Sequence, residues 1–132
     1  MKSAHVSGKR KRAIARATVR DGTGVVRVNS LLLDAYMPVL ARSLVEEPLT
    51  IGSDVAKNVD IDVRVSGGGW HSQAEAARLV VAKGLVAYSG SKVLRQKFLE
   101  YDRHLLVQDK RRTEPSKPND SKPRAARQKS YR

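Results

Sequence analysis

The sequence predicts an α+β fold: a sheet of four strands, mostly antiparallel, packed with helices, then a long extended basic C-terminal tail. Three observations predict it. Residues 59–65 alternate with period two, setting Val59, Ile61, Val63 and Val65 against Asp60, Asp62 and Arg64, the pattern of a half-buried strand. Residues 72–88 repeat apolar positions at roughly helical spacing. Beyond Val107 there is no Val, Ile, Leu, Met, Phe or Trp.

The elements follow in order. Residues 13–20 read Ala-Ile-Ala-Arg-Ala-Thr-Val-Arg, small and β-branched without helix caps. Asp21-Gly22-Thr23-Gly24 supplies a turn, and residues 25–28 resume the strand pattern, so the two form a hairpin. Pro38 opens a short helix with Val39, Leu40, Leu44 and Val45 on one face, and Pro48 stops it. Residues 49–51 read as a short strand before a loop over 52–58. Gly67-Gly68-Gly69 ends the alternating strand. Ser72 and Glu75 have capping-box spacing at the head of a helix striped by Ala77, Val80, Val81, Leu85 and Tyr88. Ser89-Gly90-Ser91 breaks it, and a last helix covers residues 92–101. This places a folded unit at 1–107 and the tail at 108–132.

The chain has 132 residues, one domain's worth, and a formal net charge of +13. That charge is unevenly spread. Residues 1–20 carry +7, residues 21–102 carry −1, and residues 103–132 carry +7. With no cysteine, disulfide frameworks, cysteine–zinc sites and cysteine nucleophiles are excluded. No apolar run approaches the roughly 20 residues of a membrane span, and the start leads into charge instead of a secretory signal. The expectation is a soluble intracellular protein whose partner is a polyanion. The tail buries too little apolar surface to offset its ordering entropy. Fully extended at ~3.3 Å per residue, it reaches about 80 Å.

The residues that carry chemistry are mostly cations. Lys9-Arg10-Lys11-Arg12 is followed by Arg16 and Arg20, and on a strand Arg10, Arg12, Arg16 and Arg20 share one face, suited to lining phosphates. The competing reading is a localisation signal or a solvated edge. The triple glycine between strand and capped helix suits close approach of a phosphate backbone, or simply a tight turn. It fits neither GxxxxGK[ST] nor GxGxxG. His5, His71 and His104 are scattered and make no metal site. Asp60 and Asp62 read as a solvated strand face, not as a catalytic pair. Few aromatics are present, so no stacking platform for unpaired bases is expected.

Several motifs carry a family resemblance. Gly67-Gly68-Gly69-Trp70-His71-Ser72-Gln73-Ala74-Glu75-Ala76, continuing to Ala82-Lys83-Gly84-Leu85, resembles the signature of the universal S-nine family of small-subunit ribosomal proteins. The start, His5-Val6-Ser7-Gly8-Lys9-Arg10-Lys11, resembles that family's first strand, and Val28-Asn29 also fits. So do Phe98-Leu99-Glu100-Tyr101-Asp102-Arg103, Leu105-Leu106-Val107 and Arg111-Arg112. The end, Gln128-Lys129-Ser130-Tyr131-Arg132, is similar to archaeal and eukaryotic members, and the short N-terminus suggests the archaeal type. Val80 stands where the family pattern has a small residue, and Lys110 where related tails often carry proline.

The resemblance implies a fold like the second domain of the fifth small-subunit protein, with a left-handed βαβ crossover. It implies a structural constituent of the small ribosomal subunit, in the cytoplasm, placed in the subunit head. The partners implied are head ribosomal RNA, neighbouring head proteins and peptidyl-site tRNA. No enzyme activity, cofactor, metal, membrane or small-molecule substrate is expected. The candidate rRNA contacts are Lys9, Arg10, Lys11, Arg12, Arg16, Arg20, Gly67, Gly68, Gly69, Lys110, Arg111, Arg112, Lys117, Lys122, Arg124 and Arg127. The candidate tRNA contacts are Lys129, Tyr131 and Arg132. The alternative is a free-standing architectural nucleic-acid-binding protein.

Overall fold

The alternating run at 59–65 becomes the middle strand of the sheet. The structure is a computed structural model that describes residues 2–118, 122–125, 128, 130 and 131. Its strands are β1 (Ser3–Arg10), β2 (Ala13–Asp21), β3 (Val26–Val28), β4 (Leu31–Leu32) and β5 (Val59–Ser66). Its helices are α1 (Val39–Ile51), the single turn α2 (Ser53–Ala56), α3 (Trp70–Ser89) and α4 (Lys92–Tyr101). Short 3-10 turns occupy Leu33–Ala35 and Arg103–Leu105. Beyond Leu105 the described residues form no helix or strand.

The α+β class holds, but the sheet has five strands, in the order β1-β2-β5-β3-β4. The expected hairpin of 13–20 with 25–28 does not form. β5 inserts between the two, antiparallel to β2 and parallel to β3. Asp60 explains how the gap stays open. Its Oδ1 accepts from the Thr23 amide at 3.0 Å and the Val25 amide at 3.1 Å, while Gly22 and Gly24 amides donate to Asn58 and Val59 carbonyls. The turn is therefore built against β5 and not across to β2. Those amides, Val25 first and Thr23 next, hold the Asp60 carboxyl below its ordinary range. The expected solvated carboxylate is a structural one.

Residues 49–51 are not a strand. They complete α1, which runs through Pro48, itself buried. Proline's missing N–H costs one helical bond, and burial of its ring compensates. The inward face of α1 is Ala41, Val45 and Pro48, spaced i, i+4, i+7, so Val39 and Leu40 point outward instead of inward. The capping box also fails. α3 begins at Trp70 with Gly69 as N-cap and no side-chain cap, two residues ahead of Ser72. Glu75 turns to Arg10 instead.

All of this leaves one face of the sheet covered and one open. α3 lies between the sheet and α1, so nine of its residues are buried, five of them alanine or glycine. Small residues let backbones approach: a Cβ on Gly84 would stand 2.7 Å from Val19 Cγ2. Val80 is buried beside Gly8, where β1 passes closest to α3. Phe98, Leu85, Ile61 and Leu105 are the largest side chains in this core.

Asn29 seals the end of β3. It sits at φ 50, a conformation asparagine tolerates better than most residues. Its amide nitrogen donates to the Val65 carbonyl at 3.1 Å, and its amide oxygen accepts from the Val65 N–H at 2.8 Å. The side chain thus continues the β3–β5 ladder by one step.

Candidate nucleic-acid interface

Period two sorts the cations between the faces. On β2, Ala13, Ala15, Ala17 and Val19 face the helices, so Arg16 and Arg20 stand on the open face. On β5 the same alternation exposes Arg64, and on β3 it exposes Arg27. These four arginines, with His5, Ser7, Thr18 and Asp62, line an open groove of about 1000 Å³. Among the described residues no Phe, Tyr or Trp lines it.

The register sharpens the charge. Arg16 lies directly opposite Arg64 across β2 and β5. Like charges at directly opposed positions destabilise a sheet. Neither has a carboxylate within salt-bridge distance among the described residues, and Arg27 has none either. Arg20 does have a partner: it donates to Asp62 at 2.6 Å. The groove therefore holds three guanidiniums with no carboxylate at ion-pair distance among the described residues, its one acid, Asp62, being bonded to Arg20 although it also lies opposite Arg27. Arg27 and Arg64 are absent from the sequence-derived contacts, although each sits between apolar neighbours at period two and is open to the same parity argument.

Arg10 does not share this face. It lies on the helix side of β1, its side chain 15% exposed. Its Nε meets Glu75 at 2.8 Å and its Nη2 meets Asp109 at 3.6 Å. Its Nη1 is buried with no hydrogen-bond partner among the described residues. Two residues of turn separate β1 from β2, and that reversal moves Arg10 out of phase with Arg16. Lys11, at φ 54, and Arg12 are exposed in this turn. Lys9 is on the open side of β1, half-buried, opposite Ile14.

The glycines divide. Gly67 and Gly68 have φ of 80 and 67, and a Cβ on Gly67 would stand 2.5 Å from the Arg12 carbonyl oxygen. Both are required by the turn where it presses on the β1–β2 connection. Gly69 has open space around it.

The tail starts on the body. Arg111 donates to Asp109 from its backbone amide, Nε and Nη2, the last at 2.7 Å. The Arg111 guanidinium first, then its amide, hold the Asp109 carboxyl far below the usual carboxylate range, and Asp109 in turn raises Arg111. Lys110 and Arg112 are exposed. Farther along, Glu114 accepts from Arg124 at 2.8 Å and lies 4.0 Å from Lys117, while Lys122 is exposed. Tyr131 is 88% exposed. Arg127, Lys129 and Arg132 lie outside the described residues. Among the described residues no cluster of His, Asp and Glu is arranged to hold a metal ion, and no helix is long and apolar enough to cross a membrane.

An α+β body with arginines free of ion pairs among the described residues on its bare sheet face defines a class of small basic proteins whose surface chemistry suits a polyanion. The chain belongs to the family described as ribosomal protein S9/S16, which matches residues 8–132. Among its relatives is the small ribosomal subunit protein uS9 of Methanococcus maripaludis strain C7, 46% identical, with both chains covered completely. The uS9 protein of strain C5 of the same archaeon is similar to the same degree and extent. The chain is thus a member of a ribosomal protein family of structural components.

Proposed function

We propose that this chain is a structural constituent of the small ribosomal subunit in the cytoplasm, that it binds ribosomal RNA of the subunit head, and that its tail reaches toward peptidyl-site tRNA. The observation that carries the RNA reading is the opposition of Arg16 and Arg64 without a counter-acid. A sheet keeps such a pair at a cost in stability, and an external phosphate backbone offsets that cost. Arg16, Arg20, Arg27 and Arg64 form the central contact, with Lys9, Lys11 and Arg12 at its edge. Arg10 is committed to Glu75 and Asp109 and acts on the body instead. Gly69 leaves room for a backbone to approach. The tail, residues 108–132, continues the charge through Lys110, Arg112, Lys117, Lys122, Arg124 and Arg127, and ends in Lys129, Tyr131 and Arg132 at the tRNA. The body in this reading resembles the second domain of the fifth small-subunit protein, with β3, α1 and β5 as its left-handed crossover.

Sedimentation of the endogenous protein with small subunits in high salt tests the assignment. Retention through the wash is expected. Release, with equal binding to any duplex, would favour a free-standing architectural protein. For the tail, deleting residues 130–132 is expected to leave subunit abundance normal and weaken tRNA retention in the peptidyl site. Loss of subunits with unchanged tRNA affinity would make the tail an assembly strut.

A further inference from the structure

Of the cationic run 9–12, Arg10 alone has ion pairs among the described residues, and it has two. They join three parts of the chain that are far apart in sequence. Arg10 itself belongs to β1, Glu75 to α3 at 2.8 Å, and Asp109 to the start of the tail at 3.6 Å. The Arg10–Asp109 pair is largely out of water, with side chains 15% and 11% exposed. A pair so shielded is screened less by salt than an exposed one. Removing one partner leaves the other charge uncompensated.

The pair falls where the tail leaves the body. Leu105 is fully buried, residues 106–109 are partly buried, and residues 110–113 are exposed. Asp109 is therefore the last residue of this stretch held against the body. Beyond it, the ion pairs among the described residues stay within the tail: Arg111 reaches back to Asp109, and Lys117 and Arg124 meet Glu114. The surface under Asp109 is itself braced. One turn along α3 from Glu75, Arg78 pairs with Glu47 of α1 at 2.7 Å and with Asp102 at the end of α4 at 3.2 Å.

We propose that Arg10 and Asp109 form a latch that fixes the direction in which the tail leaves the body, so that the tail meets head ribosomal RNA already aimed. Arg10 is a positioning residue for the tail and not an RNA contact. A segment held near its bound conformation loses less freedom on binding. This role rests on the proposed path of the tail along RNA. Latch and plain electrostatics predict opposite signs. Replacing Asp109 by a neutral residue adds one positive charge and frees Arg10 and Arg111, so charge alone predicts tighter binding to RNA. Loss of the latch predicts weaker binding, because the tail must then be ordered at the moment of docking.

The chain has no cysteine, so Lys97→Cys on α4 and Thr113→Cys in the tail, both at exposed positions, take two spin labels. Pulsed electron–electron resonance then reads the distance between them in the free full chain. A narrow distribution is expected, broadened by Asp109→Asn and by Arg10→Gln but not by Arg111→Gln, which leaves the latch in place. A broad distribution before any of these changes overturns the proposal. So does broadening by Arg111→Gln, or by Asp109→Asn without Arg10→Gln, since the order would then be local to the tail. In the unlabelled chain, Asp109→Asn is expected to weaken binding to head ribosomal RNA severalfold, measured where both proteins are fully folded. Equal or tighter binding overturns the proposal. If the unmodified chain does not bind head ribosomal RNA, the RNA reading falls and the role of the latch with it, while the distances still decide whether the latch exists.

Discussion

The two faces of β2 put one strand in opposite environments. Ala13, Ala15, Ala17 and Val19 are buried to within 2% of full exclusion, while Ile14, Arg16 and Arg20 stand open. On the covered side small residues meet small residues of α3, and close approach of backbones is the organising feature. On the open side, residues of like charge face each other across strands. The first face is solved within the chain; on the proposed reading the second takes its counter-charge from outside, so that stability and recognition fall to alternate residues of the same segment.

Breaking the covered side should produce the largest effects. Phe98→Ala empties a fully buried site and is expected to cost about 3–5 kcal/mol in urea unfolding. A loss below about 1 kcal/mol would mean that this side is loosely packed. Next comes Gly68→Val, which forces a β-branched residue to φ 67 beside the Ala13 amide, at a cost of about 1–3 kcal/mol. Asn29→Ala removes both side-chain bonds to Val65, and about 1–3 kcal/mol is expected from the backbone groups left unpaired. Equal stability of the alanine variant would show that the ladder closes without it.

Acid should act more gently. Asp60 and Asp109 both ionise below the ordinary range in the folded protein. A depressed folded value gives stability that is complete above the unfolded value, near about 4, and is lost as pH falls further. Unfolding midpoints should stay level above about pH 5 and decline below it, less steeply in a variant carrying Asp60→Asn and Asp109→Asn. A midpoint that rises on acidification would reverse the assigned sign. Smallest of all, Arg16→Ser with Arg64→Ser should raise stability slightly, by no more than about 0.5 kcal/mol, since it relieves an opposed like-charge pair that is exposed.

Much of this contrast is legible in the sequence. Period two alone places Arg16, Arg20 and the alternating strand 59–65, and the charge partition separates a near-neutral middle from cationic ends. What periodicity does not encode is pairing. Residues 25–28 look like the second arm of a hairpin because turn chemistry is local, while insertion of β5 depends on Asp60, some 35 residues onward. Proline at 48 reads as a stop because propensity ignores burial, and tertiary packing carries α1 past it. Parity also resets at the β1–β2 turn, so Arg10 groups with Arg16 on the sequence although their side chains lie on opposite sides of the sheet. Arg64 is visible as a polar position, but its opposition to Arg16 requires the register.

On the proposed reading the open face, and not the cationic run as a whole, meets RNA. The direct test is the salt dependence of binding to head ribosomal RNA for the full chain and for a triple variant, Arg16→Ser, Arg27→Ser and Arg64→Ser. Each phosphate that is no longer neutralised should flatten the slope of log K against log salt by about 0.7–0.9, so a slope reduced by roughly 2–3 is expected, with the unfolding midpoint not lowered. A slope identical to that of the unmodified chain would contradict it, and would move the interface to the tail and the β1–β2 turn.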